Sequence, residues 1–226
     1  MPDLSNFEIA RAFKQPGCPL CRVLAADEER AMQRFWRDGR FVPAVRLAFF
    51  ASGGFCPRHA WLLHEQVMRA GRSGALTDLY DALSRRDLGR IARVLDGEKP
   101  RRGDSGRREL ACRAGCPACE ELERATARKA HFACELLREE GMVAAYRASD
   151  GFCFRHLGDV LVAGADADQG LARSLLDDWR ERLAVLREQL AEFERKRDYR
   201  HAHEPRGDEQ RAPTDAVRRY AGEPPP

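Results

Sequence analysis

The 226 residues are 43% hydrophobic and 33% charged, enough apolar material for one large core or two small ones. Against 36 acidic side chains stand 39 basic ones, a formal charge of +3, so bulk electrostatics demand neither a nucleic acid nor an anionic membrane as partner. Residues Met1 to Gly17 hold no apolar run of signal-peptide length and no stretch approaches a membrane span, so the expected location is the cytoplasm, where the eight cysteines are seldom disulfides.

In chain order, Gly17-Cys18-Pro19-Leu20-Cys21 opens a helix whose apolar face is Val23, Leu24, Met32, Phe35 and Trp36 and which Gly39 stops. Pro43 starts a short second helix ending near Ala51. Gly54-Phe55-Cys56-Pro57-Arg58-His59 opens a third, and Leu76, Leu79, Tyr80, Leu83, Leu88, Ile91, Val94 and Leu95 mark a fourth. Glu98 to Arg108, with a proline, two glycines and four arginines, reads as a linker, taken as 98–110.

Beyond it the pattern starts again. Gly115-Cys116-Pro117-Ala118-Cys119 repeats the first motif at a shift of 98 positions, and Ala148-Ser149-Asp150-Gly151-Phe152-Cys153-Phe154-Arg155-His156 repeats Ala51 to His59 at a shift of 97, with seven of nine residues identical. Order and separation agree to within one residue, so the chain reads as a tandem duplication of CPxC and then GFCxRH, with about thirty-four residues between the last cysteine of the first motif and the cysteine of the second. Leu122, Ala125, Phe132, Ala133, Leu136 and Leu137 give the second copy its first helix, which Gly141 ends. Met142 to Ala148 follows as its short second helix, and Leu175, Trp179, Leu183, Leu186, Leu190 and Phe193 mark a long last one. The expected fold is all-α, two pseudo-repeated units of about four helices packed as one body: 1–97, then 111–200 with the long C-terminal helix, then a mostly flexible tail 201–226, in which Val217 is the one large aliphatic residue.

Cysteines three apart with proline between them converge where loop becomes helix, and a cysteine and histidine three apart share one face of a first helical turn. Each motif therefore supplies half of a tetrahedron of three thiolates and one imidazole, a ligand set typical of structural zinc. Grouped within each copy, Cys18, Cys21, Cys56 and His59 form one expected site, and Cys116, Cys119, Cys153 and His156 the other. Arg58 and Arg155, each beside a ligand histidine, are candidate supports for the thiolates, though either can as well be a solvated arginine. Phe55 and Phe152 read as core anchors beside the sites.

Cys112 with Cys116 and Cys119 spells the CxxxCxxC of radical enzymes, but it opens a helix rather than lying on a strand-rich barrel, and Cys153 and His156 explain the last two cysteines better. Cys112 then reads as a spare thiol and Cys134 as a small core filler. A thioredoxin-like role lacks a βαβ setting. His64, His131, His201 and His203 need no role, no triad, phosphate loop or carboxylate pair stands out, and sites closed by four protein ligands speak against catalysis.

With GCPLC, GFCPRH, GCPAC and GFCFRH in place, the chain resembles a bacterial family of unknown function whose members carry this motif pair twice. Glu192 to Arg200, followed by Glu204-Pro205, is similar to that family's C-terminal signature. The resemblance implies the duplicated helical body and the metal ligands, implies no activity, and implies that the start of the tail, around Tyr199, docks on the body. The leading functional reading is a protein with two structural zinc ions whose helical surface binds another macromolecule, an unknown protein partner first. Iron-sulfur or other metal-dependent redox chemistry is the alternative. Nucleic-acid binding through Arg101, Arg102, Arg107 and Arg108 comes third, behind a solvated linker.

Overall fold

A computed structural model describes residues 4–38, 43–96, 115–164, 169–201 and 203–224. Among these the chain is all-α: α1 (Leu4–Ala12), α2 (Pro19–Asp38), α3 (Pro43–Ser52), α4 (Pro57–Arg69), α5 (Ser73–Leu95), α6 (Pro117–Leu137), α7 (Met142–Ala148), α8 (Phe154–Gly164), α9 (Gln169–Arg197) and α10 (Ala212–Ala221), with no strand. The helices expected from periodicity form, and prolines 19, 43, 57 and 117 each open one. Proline suits that place, because its fixed φ is already helical and its missing N–H is one that a first turn leaves unpaired. Both CPxC motifs and both GFCxRH motifs therefore sit at helix starts.

The compact units are not the contiguous halves 1–97 and 111–200. One comprises Met1–Ala26 with Ala125–Pro226, the other Asp27–Arg124, so α2 and α6 each begin in one unit and continue into the other. The expected linker 98–110 and Cys112 lie outside the described residues.

In the unit of Asp27–Arg124, Met32, Leu63 and Val67 are buried, with Phe35, Trp36, Phe55, Leu62, Leu76, Leu79 and Ala118 packed against them. Phe35 and Phe55 meet edge to face with centroids 4.5 Å apart, an arrangement favoured by the ring quadrupoles. In the other unit Ile9, Leu20, Tyr146, Phe152 and Leu175 are buried. Tyr146 and Phe152 lie 4.9 Å apart, and the Trp179 indole N–H donates to the Phe152 carbonyl at 3.1 Å. Phe55 and Phe152 are thus core anchors, as expected. Cys134 is buried as well, so close to Gly164 that a Cβ there would come within 2.6 Å of its sulfur.

A device absent from the sequence reading holds the chain leading into each GFCxRH motif. The Arg182 guanidinium, paired with Asp178 at 2.7 Å, donates to the carbonyls of Ser149 (2.9 Å) and Arg147 (3.0 Å). Arg86, paired with Asp87 at 2.6 Å, likewise donates to the Phe50 carbonyl. These carbonyls end α7 and α3, where a helix leaves acceptors without internal partners, and an arginine from the last helix of each copy satisfies them.

The composition of 201–226 predicts a tail without structure, and here the fold differs. A 3-10 turn (Asp208–Arg211) and α10 form there, packed against α9, and α10 also meets α8. The anchors are polar and therefore silent to hydropathy: Arg195 pairs with Glu192 and, through a second edge of its guanidinium, with Glu204, while Lys196 reaches the buried Glu209 carboxylate at 3.1 Å. Tyr199, expected to dock, is 86% exposed. The start of the tail is held by Arg195 and Lys196 instead.

Candidate metal centres

The eight expected ligands come together in two groups of four, with the pairing exchanged between the copies. Cys18 and Cys21 meet Cys153 and His156, and Cys116 and Cys119 meet Cys56 and His59; in each group the donor atoms all lie within 4.8 Å of one another. The within-copy grouping expected from the sequence is not what the fold builds. Helix lengths act in this direction. The helix α2, about 30 Å long over its 20 residues, carries the chain away from Cys21 for most of that length, and the 10 residues of α3 return it by only about 15 Å before the connecting residues are counted. His59 accordingly reaches α2 at Glu28, with Nε2 2.8 Å from Oε1, and not at the CPxC end. The Gly17 N–H donates to Asp150 Oδ2 at 2.6 Å, which ties the first CPxC loop directly to the second GFCxRH motif.

Each cluster lies within one compact unit. In the first, Nδ1 of His156 stands 3.5, 3.3 and 3.4 Å from the sulfurs of Cys18, Cys21 and Cys153, and the Cys21 and Cys153 sulfurs are 3.8 Å apart. In the second, Nδ1 of His59 stands 3.2, 3.6 and 3.4 Å from Cys56, Cys116 and Cys119, and the Cys56 and Cys119 sulfurs are 3.7 Å apart. A tetrahedral ion with sulfur at about 2.3 Å and nitrogen at about 2.0 to 2.1 Å separates its donors by about 3.8 Å between sulfurs and about 3.5 Å from sulfur to nitrogen. The observed spacings match both values. All seven described cysteines are free thiols.

Charge is distributed in the same sense in both groups. Thiol hydrogen bonds from Cys18 and Cys21 hold Cys153 well below the usual thiol range, whereas burial, reinforced by its sulfur neighbours, pushes Cys18 well up. Burial would raise Cys56, but hydrogen bonds from His59 outweigh it and bring that thiol down to about 7; burial and Cys56 push Cys119 up to about 12. Glu28 raises His59 to about 9, and Cys153 and Cys21, outweighing burial, raise His156 to about 9. In each group one thiol is thus lowered and the imidazole raised, and a divalent cation bound there would displace the protons they share.

The surroundings of the two clusters differ. Glu28, itself buried, faces His59 with one oxygen and accepts a 2.6 Å hydrogen bond from Arg58 Nη2 with the other. Burial alone would raise the Glu28 carboxyl, but His59 and Arg58 hold it below the usual range. Arg58, expected to support thiolates, serves this carboxylate instead. In the second copy the position corresponding to Glu28, ten residues beyond the first CPxC cysteine, is the buried Thr126, and Arg155 is exposed. The carboxylate behind the histidine was missed because Glu28 lies in an acidic run, Asp27 to Glu29, that reads as a solvated face.

His64, His131, His201 and His203 stay outside both clusters; His64 packs on Trp61, and His201 meets Glu204 at 2.9 Å. The arginines at 101, 102, 107 and 108 lie outside the described residues. No described helix is long and apolar enough to cross a membrane.

The model of a family of unknown function, DUF6062, matches residues 2–225. The chain belongs to this family. No curated protein and no solved structure matches it. Membership of the family assigns no activity, so the two clusters carry the functional argument.

Proposed function

We propose that this member of the family is a structural two-zinc protein, each cluster holding one ion as a cross-link between a CPxC helix start and a GFCxRH helix start. The observation that carries the reading is the donor spacing, which suits a single tetrahedral ion in both places. The donors of a four-iron cluster stand around a cube of metal and sulfide and are necessarily farther apart, so the spacing speaks against the iron-sulfur alternative. Three thiolates and an imidazole leave no open position for water or substrate, which suits a structural role better than a catalytic one. Free thiols suit a reducing compartment, the cytoplasm.

The duplication is read as the source of two sites that depend on each other's halves. Exchanging the CPxC helix starts makes each copy incomplete alone, so the metals fasten the copies to each other as well as to themselves. A protein fastened in this way offers a stiff helical surface, and Leu88, Ile91 and Leu95 of α5 leave a stripe of apolar side chains exposed. Such a stripe suits a protein partner, in keeping with the interaction role.

The deciding experiment is metal content by mass spectrometry on untagged protein purified without air, with a visible spectrum. Two zinc per chain and no colour is the expected result. Iron with sulfide and a brown colour, or no metal at all, refutes the reading.

A further inference from the structure

The two clusters are unequally covered, and the cover on the first is a separate piece of chain. In the first cluster two of the three thiols, Cys18 and Cys153, are buried and Cys21 is half-buried, whereas all three thiols of the second, Cys56, Cys116 and Cys119, are half-buried; the histidine is buried in both. Against the sulfurs of the first lies the residue that ends α10. Gly222 is buried, with φ +87° and ψ −173°, backbone angles open in practice only to glycine. A Cβ at Gly222 would stand 2.7 Å from the Cys21 sulfur and 3.6 Å from that of Cys153, so its bare backbone rests on two of the three thiols.

The segment carrying Gly222 is held on several sides. Tyr220 packs against Trp179 and Phe154, each at 5.9 Å, and Phe154 directly follows the ligand Cys153. Arg219 donates to the Asp150 carbonyl at 2.6 Å, and the side chain of the same Asp150 accepts from the Gly17 N–H beside Cys18. Ala212, at the start of α10, is fully buried. Charge in the segment is mixed: Arg219 brings a positive group to the Asp150 loop, while the Glu223 carboxylate lies against Gly17 and is paired with Arg218 at 3.5 Å, so the net charge of −1 left by three thiolates and a divalent ion is not offset by this segment alone. None of these contacts supplies a fifth ligand. What they do is restrict the approach to the sulfurs, of which Cys18 and Cys153 are buried.

We propose that the C-terminal segment, α10 with Gly222, is a dedicated cover over the first metal site that makes its ion inert, while the ion of the second site exchanges with solvent. The proposal rests on the reading that both clusters hold metal. A chelator or a competing thiol must approach a bound ion through its sulfurs, and Gly222 occupies that approach at the first site, whereas the half-buried sulfurs of the second leave one open. The chain is therefore built with one permanent and one exchangeable metal.

The test is the rate of zinc release from the full-length, zinc-loaded protein to an excess of a chromogenic chelator, after the metal count has been established. Two phases of one zinc each are expected. In Cys56→Ser the slow phase alone should remain, and in Cys18→Ser the fast phase alone. Gly222→Val, which adds side-chain atoms where the backbone meets sulfur, and Tyr220→Ala, which loosens the segment without touching the ligands, should each speed the slow phase about tenfold or more, the scale on which lost support around a ligand set shows in metal retention. The fast phase should not move. Release of both ions at one rate, assignment of the slow phase to the second site, or a slow phase unchanged in both variants overturns the cover. A protein that takes up no zinc is recognised earlier, from the count, and removes the reading beneath it.

Discussion

Nε2 of His59 lies 2.8 Å from Oε1 of Glu28, while Nδ1 of the same ring faces three sulfurs. A carboxylate behind a ligand imidazole fixes which nitrogen faces the metal and raises its basicity. Glu28→Gln keeps the volume and removes the charge, and should weaken the second site about 10- to 100-fold while leaving the first untouched. Competition against a chelator of known affinity, in Cys18→Ser and Cys56→Ser backgrounds that isolate each site, measures both. Equal losses at the two sites would show that Glu28 acts on the fold as a whole.

The exchanged pairing makes opposite predictions from the within-copy pairing for paired substitutions. Cys18→Ser with Cys153→Ser damages one cluster twice, so one metal should remain; Cys18→Ser with Cys56→Ser damages each cluster once, so neither should remain intact. Native mass spectrometry counts the ions directly. One ion in the second variant and none in the first would restore the grouping that sequence adjacency suggests.

Why adjacency misled can be traced to particular residues. The eight cysteines and histidines that cluster, the helix starts at prolines 19, 57 and 117, and the apolar faces around Met32 and Leu137 were legible, because proline geometry and a 3.6-residue period are local properties. Partner choice is not local. A duplicated sequence is equally self-consistent whether Cys21 meets Cys56 or Cys153, and the lengths of α2 and α3, which bear on the choice, show only once the helices are placed. Asp150 carries a visible trace of the answer. It replaces Gly53 of the first copy, and its carboxylate holds Gly17. The docked tail escaped for a different reason: its anchors are Arg195, Lys196, Glu204 and Glu209, which hydropathy scores as solvent-facing, and α10 contributes alanines and Tyr220 rather than an aliphatic stripe.

Metal removal should act on the whole fold. Structural zinc supplies about 10 to 16 kcal/mol in finger peptides, comparable with or larger than the roughly 5 to 15 kcal/mol by which native proteins are stable. Since each compact unit contains one cluster, each ion is expected to stabilise the unit that holds it, and removal of both is expected to cost the fold as a whole. Circular dichroism at equilibrium with a strong chelator, after both ions have left, should show loss of helicity at ambient temperature, reversed by zinc. A stripped protein that kept its full melting temperature would show that the sites fasten nothing.

Acidification should undock the tail through Glu204 and Glu209. Arg195 and then His201 hold the Glu204 carboxyl down at about 2, and the Gly207 N–H, aided by Lys196, holds Glu209 down at about 2, against 4.5 for a free glutamate. Because both values are depressed on folding, the docked state binds fewer protons than the undocked one between these limits. The stabilisation is therefore complete above about pH 4.5 and falls progressively as the pH drops toward 2. Carbon-detected NMR of the two carboxyl groups, read alongside the Ala212 methyl resonance as a marker of docking, follows both events in one titration, and comparison with Glu209→Gln separates them from the loss of metal on thiolate protonation, which both proteins share. Glu209→Gln cannot titrate at that position, so its docking should start weaker at neutral pH and depend less on pH. Docking that is constant from pH 4.5 to 2, or that strengthens on acidification, would mean that these carboxylates do not hold the segment whose last turn reaches Gly222 and the first cluster.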